Sequence, residues 1–133
     1  MKKLFLAILF NYFLKNSAYC NQICKGETDK DKNVAKKICA EFTEAMGFLY
    51  VNSESTLIDI GITDNTYFRL KNNKVEAQKY CTKILNIHKN ITGSTATLLF
   101  SIIIEGRLQN VIKAVYETSL FNDPKVVITF EDF

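Results

Sequence analysis

The sequence predicts an α+β fold, in which two amphipathic helices pack on an antiparallel sheet and disulfides stabilise the domain. Three observations predict it. Apolar residues recur at helical spacing over 29–46 and 74–89. β-branched and aromatic runs bounded by turn residues occupy 96–104, 107–118 and 125–131. Four cysteines, Cys20, Cys24, Cys39 and Cys81, follow an N-terminal segment with the layout of an export signal.

That segment, MKKLFLAILFNYFLKNSAYC, opens on Lys2 and Lys3, runs apolar from Leu4 to Leu14, and ends in the polar, small-residue stretch Lys15 to Ala18. This is the three-part plan of a secretory signal peptide, with cleavage expected after Ala18. A membrane span needs about 20 apolar residues, and the run is shorter and broken by Asn11, so no membrane span is expected in the mature chain. Lipidation at Cys20 is the weaker reading, because the bulky Tyr19 precedes the cysteine where a small residue is needed. The expected organisation is a signal peptide over 1–18 and a single small domain over 19–133, placed in the periplasm or outside the cell.

The charge balance changes with the cut. The chain of 133 residues carries 17 Lys and Arg against 14 Asp and Glu, a net +3. Lys2, Lys3 and Lys15 lie in the signal, which holds no acid, so the mature domain is neutral. The basic character that would point to nucleic acid therefore leaves with the signal, and no nucleic-acid partner is expected.

In an oxidising compartment an even cysteine count reads as two disulfides. Cys20 and Cys24 are too close in sequence to close a useful loop. Pairing each with Cys39 or Cys81 would pin the N-terminal tail to the body; the alternative joins Cys39 to Cys81. There is no C-x-x-C, and a C-x3-C spacing is a poor zinc signature.

Residues 29–46 form the first helix. Val34, Ala35, Ile38, Cys39, Phe42, Ala45 and Met46 share one face, Asp29 and Asp31 suit the helix dipole in the first turn, and Gly47 fits a C-terminal cap. Lys32, Lys36, Lys37, Glu41 and Glu44 make the outer face. LIDIGI at 57–62 and YFRL at 67–70 are read as two short strands with TDNT at 63–66 as their turn. The second helix, 74–89, is capped by Asn73 with Glu76 three residues on; Ala77, Cys81, Ile84, Leu85 and His88 form its apolar face. In 96–104, Ala96, Leu98, Phe100, Ile102 and Ile104 make a wholly apolar strand face. Glu105-Gly106 is a hairpin signal, which favours a strand over 107–118 with Leu108, Ile112, Ala114 and Tyr116 on one face. A helix there would instead align Leu108, Val111, Ile112 and Val115. Val126, Ile128 and Phe130 alternate along the last strand.

With 107–119 read as a helix, the tail IIIEGRLQNV, VIKAVYETSLFNDP, VVITFEDF is similar to the C-terminal domains of TolA and TonB. Those are envelope proteins with a small α/β domain that binds other proteins. The likeness contains no specific motif, so no residue role transfers from it.

Little in the chain does chemistry. It has a single histidine, His88, on the apolar side of a helix near its C-terminal end, where a structural role is favoured. Cys81 and His88 stand about 10 Å apart along that helix, too far for a nucleophile–base pair. Glu131 and Asp132 are adjacent and point to opposite faces on a strand. No phosphate-binding glycine loop and no G-x-S-x-G are present, and no catalytic residue, metal ligand or cofactor is assigned. The sequon Asn90-Ile91-Thr92 reads as a chance match in an Asn-rich chain.

Charge is polarised along the sequence. Arg69, Lys71, Lys74, Lys79, Lys83 and Lys89 stand against Glu76 alone, whereas Glu117, Asp123, Glu131 and Asp132 stand against Lys125. Such patches steer a charged partner, or pack against each other. The expected function is an exported, non-enzymatic protein-binding domain, of the inhibitor, immunity or secretion-accessory kind. Lys74, Lys79, Lys83 and Lys89 are its candidate basic face. The alternatives are a carrier of a small apolar ligand, its cavity lined by the strand 96–104 and the two amphipathic helices, and a small secreted hydrolase using His88 with an acid.

Overall fold

Helix α1 (Asp29–Glu41) starts where Thr28 and Asp31 satisfy each other's backbone. The Asp31 N–H donates to Thr28 Oγ1 at 3.1 Å and the Thr28 N–H donates to Asp31 Oδ2 at 3.4 Å, a reciprocal capping box. A computed structural model describes residues 23–42, 48–118, 120 and 123–132. The expected signal segment 1–18, Cys20, the expected end of the first helix over 43–46 and the expected Gly47 cap lie outside those residues. Val34, Ala35 and Ile38 are buried as the periodicity requires.

After strands β1 (Ile23–Gly26), β2 (Phe48–Asn52) and β3 (Leu57–Gly61) comes helix α2 (Asp64–Asn72). The strand expected over 67–70 is therefore a helix. The TDNT turn is in fact its start: Thr63 Oγ1 accepts the Thr66 N–H at 3.2 Å. Tyr67 and Leu70, three apart, are both buried, which a helix permits and an alternating strand does not. Helix α3 (Lys74–Thr92) follows at once. Asn73 Oδ1 accepts the Glu76 N–H at 3.1 Å, as expected, and Gly93 closes the helix in the left-handed conformation, φ 79°. The expected face of Ala77, Cys81, Ile84, Leu85 and His88 is buried, joined by Ile87.

Strands β4 (Thr97–Ile104), β5 (Arg107–Glu117) and β6 (Lys125–Phe130) complete a six-stranded sheet in sequence order, β1 to β6. The segment 107–117 is a strand, so the helical arrangement behind the TolA and TonB likeness is not formed. Glu105 (φ 51°) and Gly106 (φ 77°) both take the left-handed conformation in the two-residue turn between Ile104 and Arg107. That is the requirement of a type I′ hairpin. One register shift between Phe100 and Ser101 leaves Val111 as an extra residue in β5.

The α+β class holds, with three helices on a sheet that is mixed rather than wholly antiparallel. β1 pairs β2 in parallel and β3 pairs β4 in parallel; the other three ladders are antiparallel. Each parallel pair is separated in sequence by helix, α1 in one case and α2 with α3 in the other, because a tight turn cannot return a chain to the same direction. Leu49, Val51, Ile58, Ile60, Leu98, Phe100, Ile112 and Ala114 form the inner sheet face and are each at most 1 % exposed. Phe42, at the end of α1, locks the layers together, its ring centroid 5.2 Å from Tyr80 on α3 and 5.8 Å from Phe100 on β4.

Of the four cysteines expected in bridges, Cys24 on β1 and Cys39 on α1 form one disulfide, with Cα atoms 6.6 Å apart. It ties the edge strand to the helix that follows it. Cys81 is a free, buried thiol on the core face of α3, and burial pushes it up to about 12. Among the described residues, no helix is long and apolar enough to cross a membrane.

Candidate functional site

Two places in the fold gather polar chemistry. The first is internal and centres on Asp31, Ser53 and His88. The turn between β2 and β3 brings Ser53 against the capping box of α1. Ser53 donates both its hydroxyl, to Asp31 Oδ1, and its N–H, to Asp31 Oδ2 at 3.1 Å. On the other side, Ser53 Oγ lies 3.4 Å from His88 Nε2. The opposite ring nitrogen of His88, Nδ1, sits 2.9 Å from the Ser94 carbonyl. A carbonyl only accepts, so that nitrogen carries a proton.

Burial alone would raise the Asp31 carboxyl. The hydrogen bonds from Ser53 and Thr28 together outweigh it and hold the group below the usual carboxylate range. Asp31 and His88 are both 0 % exposed. A serine next to a histidine and an aspartate invites comparison with a hydrolase, but the order of contacts differs. The one hydroxyl proton of Ser53 goes to the carboxylate, so the histidine does not activate it, and the imidazole is not presented to solvent. The arrangement clasps three separate segments: the start of α1, the β2–β3 turn and the end of α3.

The second place is on the surface. An open groove of about 900 Å³ runs along the outer side of α3 where it meets α1. Lys37 and Glu41 line it from α1, and Lys74, Val75, Gln78, Lys79, Thr82, Lys83, Asn86, Ile87 and Asn90 line it from α3. The α3 positions recur at three- and four-residue spacing, so they form one stripe along the helix. Lys83 Nζ is 3.3 Å from Oε2 of Glu41, the one acid among the described residues that line the groove. Gln78 donates to the Val126 carbonyl at 2.9 Å, and Tyr116 donates to Asn86 Oδ1, so the polar floor is fixed by β5 and β6.

Of the candidate basic face, the groove collects Lys74, Lys79 and Lys83, and adds Lys37 from α1. Lys89 is turned elsewhere: its ammonium lies 5.6 Å from the Tyr116 ring centroid, a cation–π contact. The polarisation of charge is partly consumed within the fold, because Lys71 Nζ meets Asp132 Oδ1 at 2.7 Å. That bond holds the Asp132 carboxyl below, and the Lys71 ammonium above, their ordinary values. Arg69 pairs with Glu76 at 3.2 Å.

Sequence reasoning missed Ser53 and Val75. Ser53 meets Asp31 and His88 across 22 and 35 residues, and no local pattern carries that. Val75 was detectable as an apolar residue on the wrong side of an amphipathic helix. It is 81 % exposed.

The inner face of β4 belongs to the core. Among the described residues, no group of three or more His, Cys, Asp and Glu lies together as a metal site would require. No family model, curated protein or solved structure matches the chain.

Proposed function

We propose that the chain is an exported, non-enzymatic protein-binding domain that engages its partner through the basic groove between α1 and α3. The observation that carries this reading is the convergence of Lys37, Lys74, Lys79 and Lys83 on one groove where Glu41, the one acid among the described residues that line it, is already paired. Such a surface steers and orients a negatively charged protein. The signal-like layout of residues 1–18 in the sequence and the Cys24–Cys39 bridge support a place in the periplasm or outside the cell. Small size and an internal, closed histidine suit an inhibitor, immunity or secretion-accessory role better than a catalytic one.

The test is comparative capture from envelope and culture-medium extracts. The bait is the disulfide-bonded protein, with the double variant Lys74→Glu/Lys79→Glu beside it. One stoichiometric protein held by the wild type and lost by the variant supports the reading. Equal capture by both baits, or none by either, overturns it.

A further inference from the structure

We infer that the α1–α3 groove is shaped for an extended acidic segment carrying one apolar side chain, and that Glu41 occupies part of that segment's place until it binds. This rests on the protein-binding reading above and specifies the partner's chemistry. The stripe from Val75 to Asn90 covers 16 residues of α3, about 22 Å at a rise of 1.5 Å per residue. That length matches about 7 residues of extended chain at ~3.3 Å each.

The charges are ordered along it. Lys74 sits at the N-terminal end, where the helix dipole adds to its positive field; Lys79 follows five residues on and Lys83 about one turn after it, with Lys37 across the groove. Val75 is apolar and 81 % exposed beside Lys74, and the fold makes no use of it. An apolar side chain at one end of the segment, followed by acids, satisfies both features. Other anionic partners fit less well. Among the described residues no aromatic side chain lines the groove, so these residues offer no platform for stacking a base. One exposed valine gives too little apolar area for a membrane surface.

Glu41 is the internal competitor. Its pair with Lys83 spans 3.3 Å, and the side chains are 36 % and 53 % exposed. Such a surface pair is weakly held. A partner carboxylate displaces it readily, and then faces the repulsion of the displaced Glu41.

The test uses the disulfide-bonded protein and a fluorescein-labelled peptide, LEDEDEE, read by anisotropy at low salt. Saturable binding is expected. It weakens about tenfold in Lys74→Glu/Lys79→Glu, and weakens on adding salt. Glu41→Gln strengthens it about threefold, since a like charge is removed and Lys83 is released. The peptide SEDEDEE, without the apolar residue, binds less well. Lys113→Glu, between the inward-facing Ile112 and Ala114 and so on the outer face of the sheet away from the helices, leaves binding unchanged and shows that net charge alone is not the cause.

No saturation at ~1 mM protein, or a Glu41→Gln variant that binds no more tightly, overturns the inference. So does tighter binding of oligothymidylate or of phosphatidylglycerol vesicles than of the peptide. If the capture experiment still yields a partner lost by the lysine reversal, the protein-binding reading survives that failure; if capture fails too, both fall.

Discussion

Replacing Asp31 tests whether the internal clasp organises the fold. The carboxylate is 0 % exposed and accepts from the Thr28 N–H, the Ser53 N–H and the Ser53 hydroxyl. Hydrogen bonds to a charged group contribute ~1.5–3 kcal/mol each, and a buried donor left without a partner costs a similar amount. Asp31→Ala leaves two N–H groups unsatisfied, while the Ser53 hydroxyl can turn to His88 Nε2, 3.4 Å away. The expected loss is therefore about 3 kcal/mol rather than the full sum. Asp31→Asn keeps one acceptor and should cost about half as much.

The same residue fixes the sign of a pH dependence. Its folded pKa is lowered, so its contribution is complete above the unfolded value, about 3.9, and is lost as pH falls through the folded value. Urea unfolding at a series of pH values from 7 downward reads both effects. The gap between wild type and Asp31→Asn should be widest near neutrality and close as pH drops below about 4. An Asp31→Ala loss under about 1 kcal/mol, or a gap that stays constant into acid, would refute the reasoning.

Other consequences follow from single features of the fold. The Cys24–Cys39 bridge closes a loop of sequence separation 15, so Cys24→Ser/Cys39→Ser should lose about 3 kcal/mol by the loop-entropy argument, measured by urea unfolding at neutral pH. Cys81 is buried and its thiol is pushed up to about 12; it should resist iodoacetamide in the folded protein at pH 8 and react at the rate of unfolding, read by intact mass. Glu105 occupies a left-handed position, φ 51°, that Asn tolerates better, so Glu105→Asn should stabilise by ~0.5–1 kcal/mol in a thermal melt.

Where local signals agreed with the tertiary demand, the fold was legible. Helix α3 has an apolar stripe, an Asn cap and a closing glycine. The β4–β5 hairpin has Glu105-Gly106 between two β-rich runs. Helix α2 was not legible, because Tyr67 and Phe68 have high β-propensity and only the packing of Tyr67 and Leu70 decides for a helix. Tyr67 Oη reaches the Glu131 carbonyl at 2.7 Å, a contact 64 residues away. Strands β1 and β2 carry four and five residues, and β1 contains Lys25 and Gly26. Gly26 is required there, since a Cβ would come within 2.2 Å of the Asp31 backbone, yet in the sequence it reads only as a strand breaker.

Half of the groove was visible in the same way. The spacing of Lys79 and Lys83 on α3 can be read directly. That α1 would supply Lys37 and Glu41 depends on how the two helices pack, and that Lys89 would turn to Tyr116 depends on β5.

The most direct test of the binding account is hydrogen exchange on the protein alone and in complex with the captured partner. The account predicts that added protection falls on α3 from Lys74 to Asn90 and on the last turns of α1 around Lys37 and Glu41. Protection concentrated on β5 and β6, with α1 and α3 unchanged, would contradict it.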